Sequence, residues 1–256
     1  MCFLSNKKKD FRKWAMADVK KAIVDYRMIS HGDSVAVGLS GGKDSGVLLY
    51  ALWAVRRISP VKFDIHAISL DLGFGMDTGP LKEYCERLEI PFHLLPTDIG
   101  EIIFDIRNEK NPCALCANLR RGALNGLALE LGCRKVALGH HLDDVVETFF
   151  MSLFYNGQFR TFEPNTYLDR RDIHMIRPLI YLEQETVQEL ALLEKIPVVP
   201  NPCPASGLTK REEIKMLVRE LMNKYPDLRK RMLTALQTAD LRNLWPPPGN
   251  DQFNEK

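Results

Sequence analysis

Apolar positions change period repeatedly along the chain, from helical spacing to unbroken runs and back. Phe11, Trp14, Ala15, Val19, Ala22, Ile23 and Tyr26 recur three and four apart. This predicts an amphipathic helix from about 8 to 29, its stripe turned to a core or to a second copy of the chain. Residues 34–39 then run apolar without alternation, as a strand covered on both faces does, and 47–55 continue as a strong helix former. Residues 63–70 and 92–95 read as strands with a helix near 80–89 between them. Beyond them, 116–131 reads as helix, 135–138 as strand and 142–155 as helix. This alternation predicts the α/β class: a doubly wound parallel sheet with helices on both faces, and ligands at the carboxyl ends of its strands.

The carboxyl end changes character. Thr209-Lys210-Arg211-Glu212 is a capping box opening a helix through about Lys224, with Ile214, Leu217, Val218 and Leu221 on one face; a second helix follows Pro226. Pro246-Pro247-Pro248-Gly249 ends regular structure, and the last residues are expected to be disordered. The organisation expected is therefore a sheet domain with its N-terminal helix over 1–205, a helical appendage over 206–245 and a tail over 246–256.

Chemistry enters where the first apolar strand meets the first core helix, at Ser40-Gly41-Gly42-Lys43-Asp44-Ser45. Two glycines permit a tight turn. Backbone N–H groups of the turn and the first helical turn converge on one spot, where the helix dipole favours an anion and Lys43 adds a full charge. A Walker A loop would need Gly at 37 and Ser or Thr at 44, where this chain has Val and Asp. The string instead resembles the PP-loop, SGGxDS, of ATP pyrophosphatases, which split ATP between the α and β phosphates. The end of the second strand, Ser69-Leu70-Asp71, is expected to face the adenine, although Leu70 reads equally as core. Gly139-His140-His141-Leu142-Asp143-Asp144 also follows a short strand and opens a helix. In a doubly wound sheet that strand lies beside the first, so Asp143 and Asp144 come near the triphosphate. Carboxylates beside phosphates call for a divalent cation, and Asp44, Asp143 and Asp144 form a candidate Mg²⁺ constellation. The alternatives are acidic residues that merely favour a helix amino terminus, and structural histidines at 140 and 141.

Composition narrows the class. At 45% hydrophobic and 27% charged residues the chain is an ordinary globular protein. No run approaches the ~18 apolar residues of a membrane span, and the first residues lack an apolar signal core, so a cytoplasmic placement is expected. The net charge of +2 does not demand a nucleic acid; RNA contact would have to come from local patches such as Lys7 to Lys9, Arg12 and Lys13, or Lys210 and Arg211. Six cysteines in a reducing compartment disfavour a disulfide framework. Cys113 and Cys116 form a C-x-x-C pair opening a helix, and Cys203 stands in Pro202-Cys203-Pro204. Three thiolates suit a [4Fe-4S] cluster with one open iron better than structural zinc. Cys85 and Cys133 read as small buried hydrophobes.

In order and spacing, these motifs resemble the tRNA 2-thiocytidine synthetases, the TtcA group. The segments that carry the resemblance are the PP-loop, Cys113-Ala114-Leu115-Cys116 followed by Leu119-Arg120-Arg121-Gly122, Gly139 to Asp144, Phe154-Tyr155-Asn156-Gly157, Ile176-Arg177-Pro178-Leu179 and Tyr225-Pro226. The resemblance implies an adenine nucleotide alpha-hydrolase-like fold in which Cys113, Cys116 and Cys203 hold a [4Fe-4S] cluster. Ser40, Gly41, Gly42, Lys43, Asp44, Ser45, Leu70, Gly139 and His140 would bind ATP and Mg²⁺, and Asp44, Arg120, Asp143 and Asp144 would act in the chemistry, Arg120 reaching between cluster and nucleotide. It further implies tRNA as partner, a sulfur donor such as a cysteine desulfurase or sulfide, and a possible homodimer. Thiolation of another tRNA base and amide formation, as in lysidine synthetases, are the other activities that a PP-loop admits.

Overall fold

A computed structural model describes residues 2–107, 112–200, 202–204 and 210–240 of the chain, the side chains from residue 8 onward. After helix α1 (Cys2–Asp25) come β1 (Ser34–Gly38), α2 (Lys43–Ile58), β2 (Asp64–Asp71), α3 (Gly79–Arg87) and β3 (Phe92–Pro96). A short α4 (Ile99–Glu101) runs into a wider turn, Ile102–Ile106, and is followed by α5 (Pro112–Glu130), β4 (Lys135–Ala137) and α6 (Leu142–Asn156). Then follow β5 (Asn165–Leu168), β6 (Ile173–Ile176), α7 (Gln184–Leu193), α8 (Lys210–Lys224) and α9 (Leu228–Gln237).

Among the described residues the strands make one six-stranded sheet in the order β3-β2-β1-β4-β6-β5. The central strand β1 pairs in parallel with β2, Gly38 opposite Ile68, and with β4, Val37 opposite Ala137. The turns after β1 and β4 therefore leave the same edge of the sheet side by side, which is what positions the site. The sheet is not parallel throughout. β5 runs antiparallel to β6, Asn165 opposite Ile176, the two joined by a helical turn, Asp169–Arg171, and Asp172 in the left-handed region. β5, a four-residue strand at the sheet edge, buries too little to show an apolar run, and its Tyr167 is half exposed.

Both faces of β1 are covered. Val35 and Val37 join a cluster with Val47, Leu48, Leu49 and Leu52 of α2, Ala15 and Val19 of α1 and Val187 and Leu190 of α7. Ala36 joins a second cluster with Leu124 and Ala128 of α5, Val136 and Met175. α2 is apolar nearly all round because it lies between the sheet on one side and α1 and α7 on the other. Trp14, counted in the α1 stripe, stands 53% exposed at its rim. Cys85 and Cys133 are buried in the first and second clusters. α8 and α9 pack on α6, where Ile214 and Val218 meet Val146. Thr209 of the capping box, Pro246 to Gly249 and the tail lie outside the described residues. Among the described residues no helix is long and apolar enough to cross a membrane.

Candidate active site

The loop after β1 is shaped from within. The Leu39 N–H donates to the Ile68 carbonyl at 2.8 Å, carrying the β1–β2 ladder one residue past the strand. Gly41 then turns the chain at φ +84°, a conformation that costs a side-chain-bearing residue energy. The Ser45 hydroxyl accepts the Ser40 N–H at 3.1 Å and donates to the Gly42 carbonyl at 2.9 Å. These serines hold the curvature, and α2 starts at Lys43 with no side chain capping it. First-turn N–H groups without a cap are the donors that an anion takes up. Lys43 Nζ lies 2.5 Å from Asp44 Oδ1.

The turn after β4 presses against this loop. A Cβ on Gly139 would fall 2.9 Å from the Asp44 carbonyl, so only glycine lets the two backbones approach this closely. His141 is consequently buried among three carboxylates, its Nε2 3.8 Å from Asp44 and 3.5 Å from Asp144, its Nδ1 3.7 Å from Asp143. No hydrogen bond reaches that Nδ1. The Asp144 carboxylate accepts the His141 N–H at 2.9 Å.

The two aspartates are used differently. Asp143, 3% exposed, is saturated: one oxygen accepts the Gln184 N–H at 2.7 Å, the other Arg229 Nε at 2.8 Å. Arg229, from α9, also bonds Glu183 and Glu185. Asp144 faces a cavity of about 90 Å³ that Lys43, Asp44, Glu147 and Arg211 also line. There Arg211, from α8, donates to Asp144 at 2.7 Å and to Glu147 at 3.2 Å. Burial pushes the Glu147 carboxyl above its ordinary range, against the pull of Arg211. The structure thus brings Lys43, Asp44 and Asp144 to one cavity wall and leaves Asp143 behind it. Mg²⁺ takes one or two carboxylates and completes its shell with phosphate oxygens and water, so Asp44 and Asp144 have the right chemistry to hold it beside a bound polyphosphate.

His140 packs against Phe162, ring centroids 4.9 Å apart and tilted by 32°, and accepts a hydrogen bond from Arg177 Nε at 3.2 Å. Burial pushes its pKa down to about 4, so it is neutral at pH 7. Arg177 is itself buried, its Nη1 donating to the Glu163 carbonyl and Thr166. Leu70 packs at the edge of the second cluster and is partly exposed.

Helix α5 starts at Pro112, which sets Cys113 and Cys116 three apart in its first turn. Cys113 is exposed and Cys116 half buried. Burial raises the Cys116 thiol; the positive charge of Arg120, one turn on, pulls the other way, while Cys203 and Cys113 push it up. Three thiols and one guanidinium therefore share a neighbourhood. The Val199 N–H donates to the Gly41 carbonyl at 2.9 Å, which ties the chain four residues before Cys203 to the PP-loop. Among the described residues no three His, Cys, Asp or Glu side chains are gathered tightly enough for a single metal ion. Cluster ligands bind separate irons, and three cysteine sulfurs would suit a [4Fe-4S] group with one open iron.

Residues 14–222 match the family model of the PP-loop domain. A tRNA-cytidine(32) 2-sulfurtransferase from Pelobacter propionicus is 41% identical over 230 residues, which are 88% of this chain and 86% of that one. The chain belongs to the TtcA family. It is a PP-loop sulfurtransferase enzyme. Another TtcA relative, from Shewanella baltica, is 36% identical over 92% of this chain and 77% of its own length. Among solved structures, the U34-tRNA thiolase NcsA from Methanococcus maripaludis, described with its [4Fe-4S] cluster, matches at a TM-score of 0.75 and 26% identity, over 93% of this chain and 81% of that one. The NMN synthetase of Francisella tularensis, at a TM-score of 0.51 and 18% identity, shares the fold.

Sequence spacing did not find every residue of this TtcA-family site. Glu147 and Arg229 carry no local signal, being held by partners 64 to 86 positions away. The sequence places Arg211 beside Lys210 in a basic patch; in the fold Lys210 lies over the Tyr155 ring and Arg211 turns into the cavity. Arg12, in the other patch, pairs with Glu194.

Proposed function

We propose that this chain thiolates tRNA at a cytidine, using ATP to activate the C2 oxygen and sulfur to replace it. The observation that carries this reading is the Val199 to Gly41 hydrogen bond, which ties the segment bearing Cys203 to the PP-loop. Activation and sulfur delivery must act on one base, and this bond joins their two neighbourhoods.

The C2 oxygen attacks the α-phosphate of ATP and pyrophosphate leaves, forming a base adenylate. Lys43 and the N–H groups at the head of α2 stabilise the charge that builds on the departing pyrophosphate. Asp44 and Asp144 are the residues that would hold Mg²⁺, which supplies further neutralisation of the phosphates. Asp143, locked by Arg229 and Gln184, positions the turn that carries Asp144. Sulfide then attacks C2 and AMP departs. Cys113, Cys116 and Cys203 would hold a [4Fe-4S] cluster, whose open iron supplies a binding place for exogenous sulfide. Arg120, one turn along α5, would ease the deprotonation of Cys116 that cluster binding needs, against the burial that raises this thiol.

The NcsA likeness supports a uridine as second reading, but at 26% identity it is weaker than the 36% to 41% shared with cytidine enzymes. Mass spectrometry of nucleosides from tRNA incubated with the anaerobic protein, ATP, Mg²⁺ and sulfide tests the proposal. We expect 2-thiocytidine, AMP and pyrophosphate. ADP as sole nucleotide product would refute the PP-loop chemistry, and 2-thiouridine in place of 2-thiocytidine would refute the base.

A further inference from the structure

We infer that Arg211 of the carboxyl-terminal helix α8 is a polyphosphate ligand, parked on Asp144 and Glu147 until the metal–nucleotide complex arrives. The inference rests on reading the cavity beside Lys43 as the ATP site. Arg211 lies in the first turn of α8, and its guanidinium spans Asp144 at 2.7 Å and Glu147 at 3.2 Å. Lys43, on the PP-loop, lines the same cavity, as does Lys215 one turn further along α8.

The two arginines that α8 and α9 send to this site differ in a way that decides their roles. Arg229 is 14% exposed and its partner Asp143 3%, so separating them would strand a buried charge. Arg211 is 39% exposed and Asp144 19%. A pair this open is held weakly and can be exchanged. A divalent cation on Asp144 would sit beside the guanidinium and repel it. The anion that enters with the cation is the polyphosphate, and the planar guanidinium fork matches two of its oxygens better than an ammonium does. Glu147, 5% exposed, remains to hold the near side of the guanidinium and limit how far it swings.

The exchange predicts effects of opposite sign from one substitution. Metal alone competes with Arg211 for Asp144, so R211A should bind Mn²⁺ in the absence of nucleotide more tightly than the wild type. The same variant should bind α,β-methylene-ATP with Mg²⁺ roughly tenfold to a hundredfold more weakly, the size of a lost charge-assisted hydrogen bond or two. Adenosine affinity should change less than about twofold, and R211K should recover part of the nucleotide affinity. Titration calorimetry on the full chain reads the nucleotides and electron paramagnetic resonance the Mn²⁺, with K43A as the reference for the site. If K43A loses the analogue and R211A does not, the role of Arg211 is overturned while the ATP site stands. If K43A also binds the analogue like the wild type, the ATP site itself falls and the inference with it. Equal weakening of adenosine and analogue in both R211A and R211K marks a damaged fold and overturns the inference.

Discussion

The carboxylates in the turn after β4 and the thiols at the head of α5 are kept in opposite states. Asp143, Asp144 and Glu147 each hold at least one arginine hydrogen bond, and Asp143 and Glu147 are almost fully covered. Cys113 is exposed, Cys116 and Cys203 half buried. The difference lies in what each group costs when it waits. A buried carboxylate without a partner is prohibitively unstable, so the chain supplies its own cations from α8 and α9. A thiol can wait as the neutral acid, and the raised Cys116 keeps its proton at pH 7. Loading a cluster must then release protons. Folding alone pairs the carboxylate side, whereas the proposed cluster would complete the thiol side.

This contrast can be broken by experiment. The largest effect is expected on the thiol side: C116S or C203S should abolish iron and sulfide incorporation while the cluster-free protein unfolds within about 1 kcal/mol of the wild type. Metal analysis and denaturant melts measure both, and a large stability loss would erase the distinction between the two sides. On the carboxylate side, R229M should destabilise the cluster-free protein by about 3–5 kcal/mol, because Asp143 is left buried and unpaired; adding D143N should recover part of it. An unaffected melting curve would mean that folding does not depend on this pair.

His140 sharpens the comparison through pH. Burial lowers its pKa from 6.5 to about 4, so the unfolded chain takes up the proton first as the pH falls. Stability is therefore lost between about pH 6.5 and 4, by at most roughly 3 kcal/mol, and is intact above. H140N should flatten that stretch of the stability profile; an unchanged slope would show that other groups carry it. The smallest effect is expected of G139A, whose new Cβ pushes on the Asp44 backbone. It should cost about 1–3 kcal/mol and weaken nucleotide binding without changing iron content.

Much of this architecture was legible in the sequence. The alternation of apolar runs and helical stripes predicts the elements from α1 to α6 except the short α4 and the turn after it, and adjacency of β1 and β4 follows from the doubly wound pattern. The β5–β6 hairpin and α7 have no such signal. Residues 165–168 are half exposed and bear no alternation, so their pairing with β6 depends on the sheet already being there. The site divides in the same manner. Ser40 to Ser45 and Cys113-x-x-Cys116 are local motifs whose chemistry is written in consecutive residues. Arg211 and Arg229 look like ordinary surface-helix cations until α8 and α9 fold back on α6.

The sequence by itself determined the phosphate-binding turn, the pair of thiols and the acidic turn after β4. Each depends on backbone freedom and spacing within a few residues. Only the tertiary structure decided which aspartate is available. Asp143 and Asp144 are chemically identical neighbours. Their difference comes from helical geometry, which turns consecutive side chains about 100° apart and sends one to Arg229 behind the wall and the other to the cavity with Lys43. The tertiary fold also tied the chain just before Cys203 to the PP-loop, through the hydrogen bond from Val199 to Gly41, a contact across more than 150 residues that no local spacing encodes.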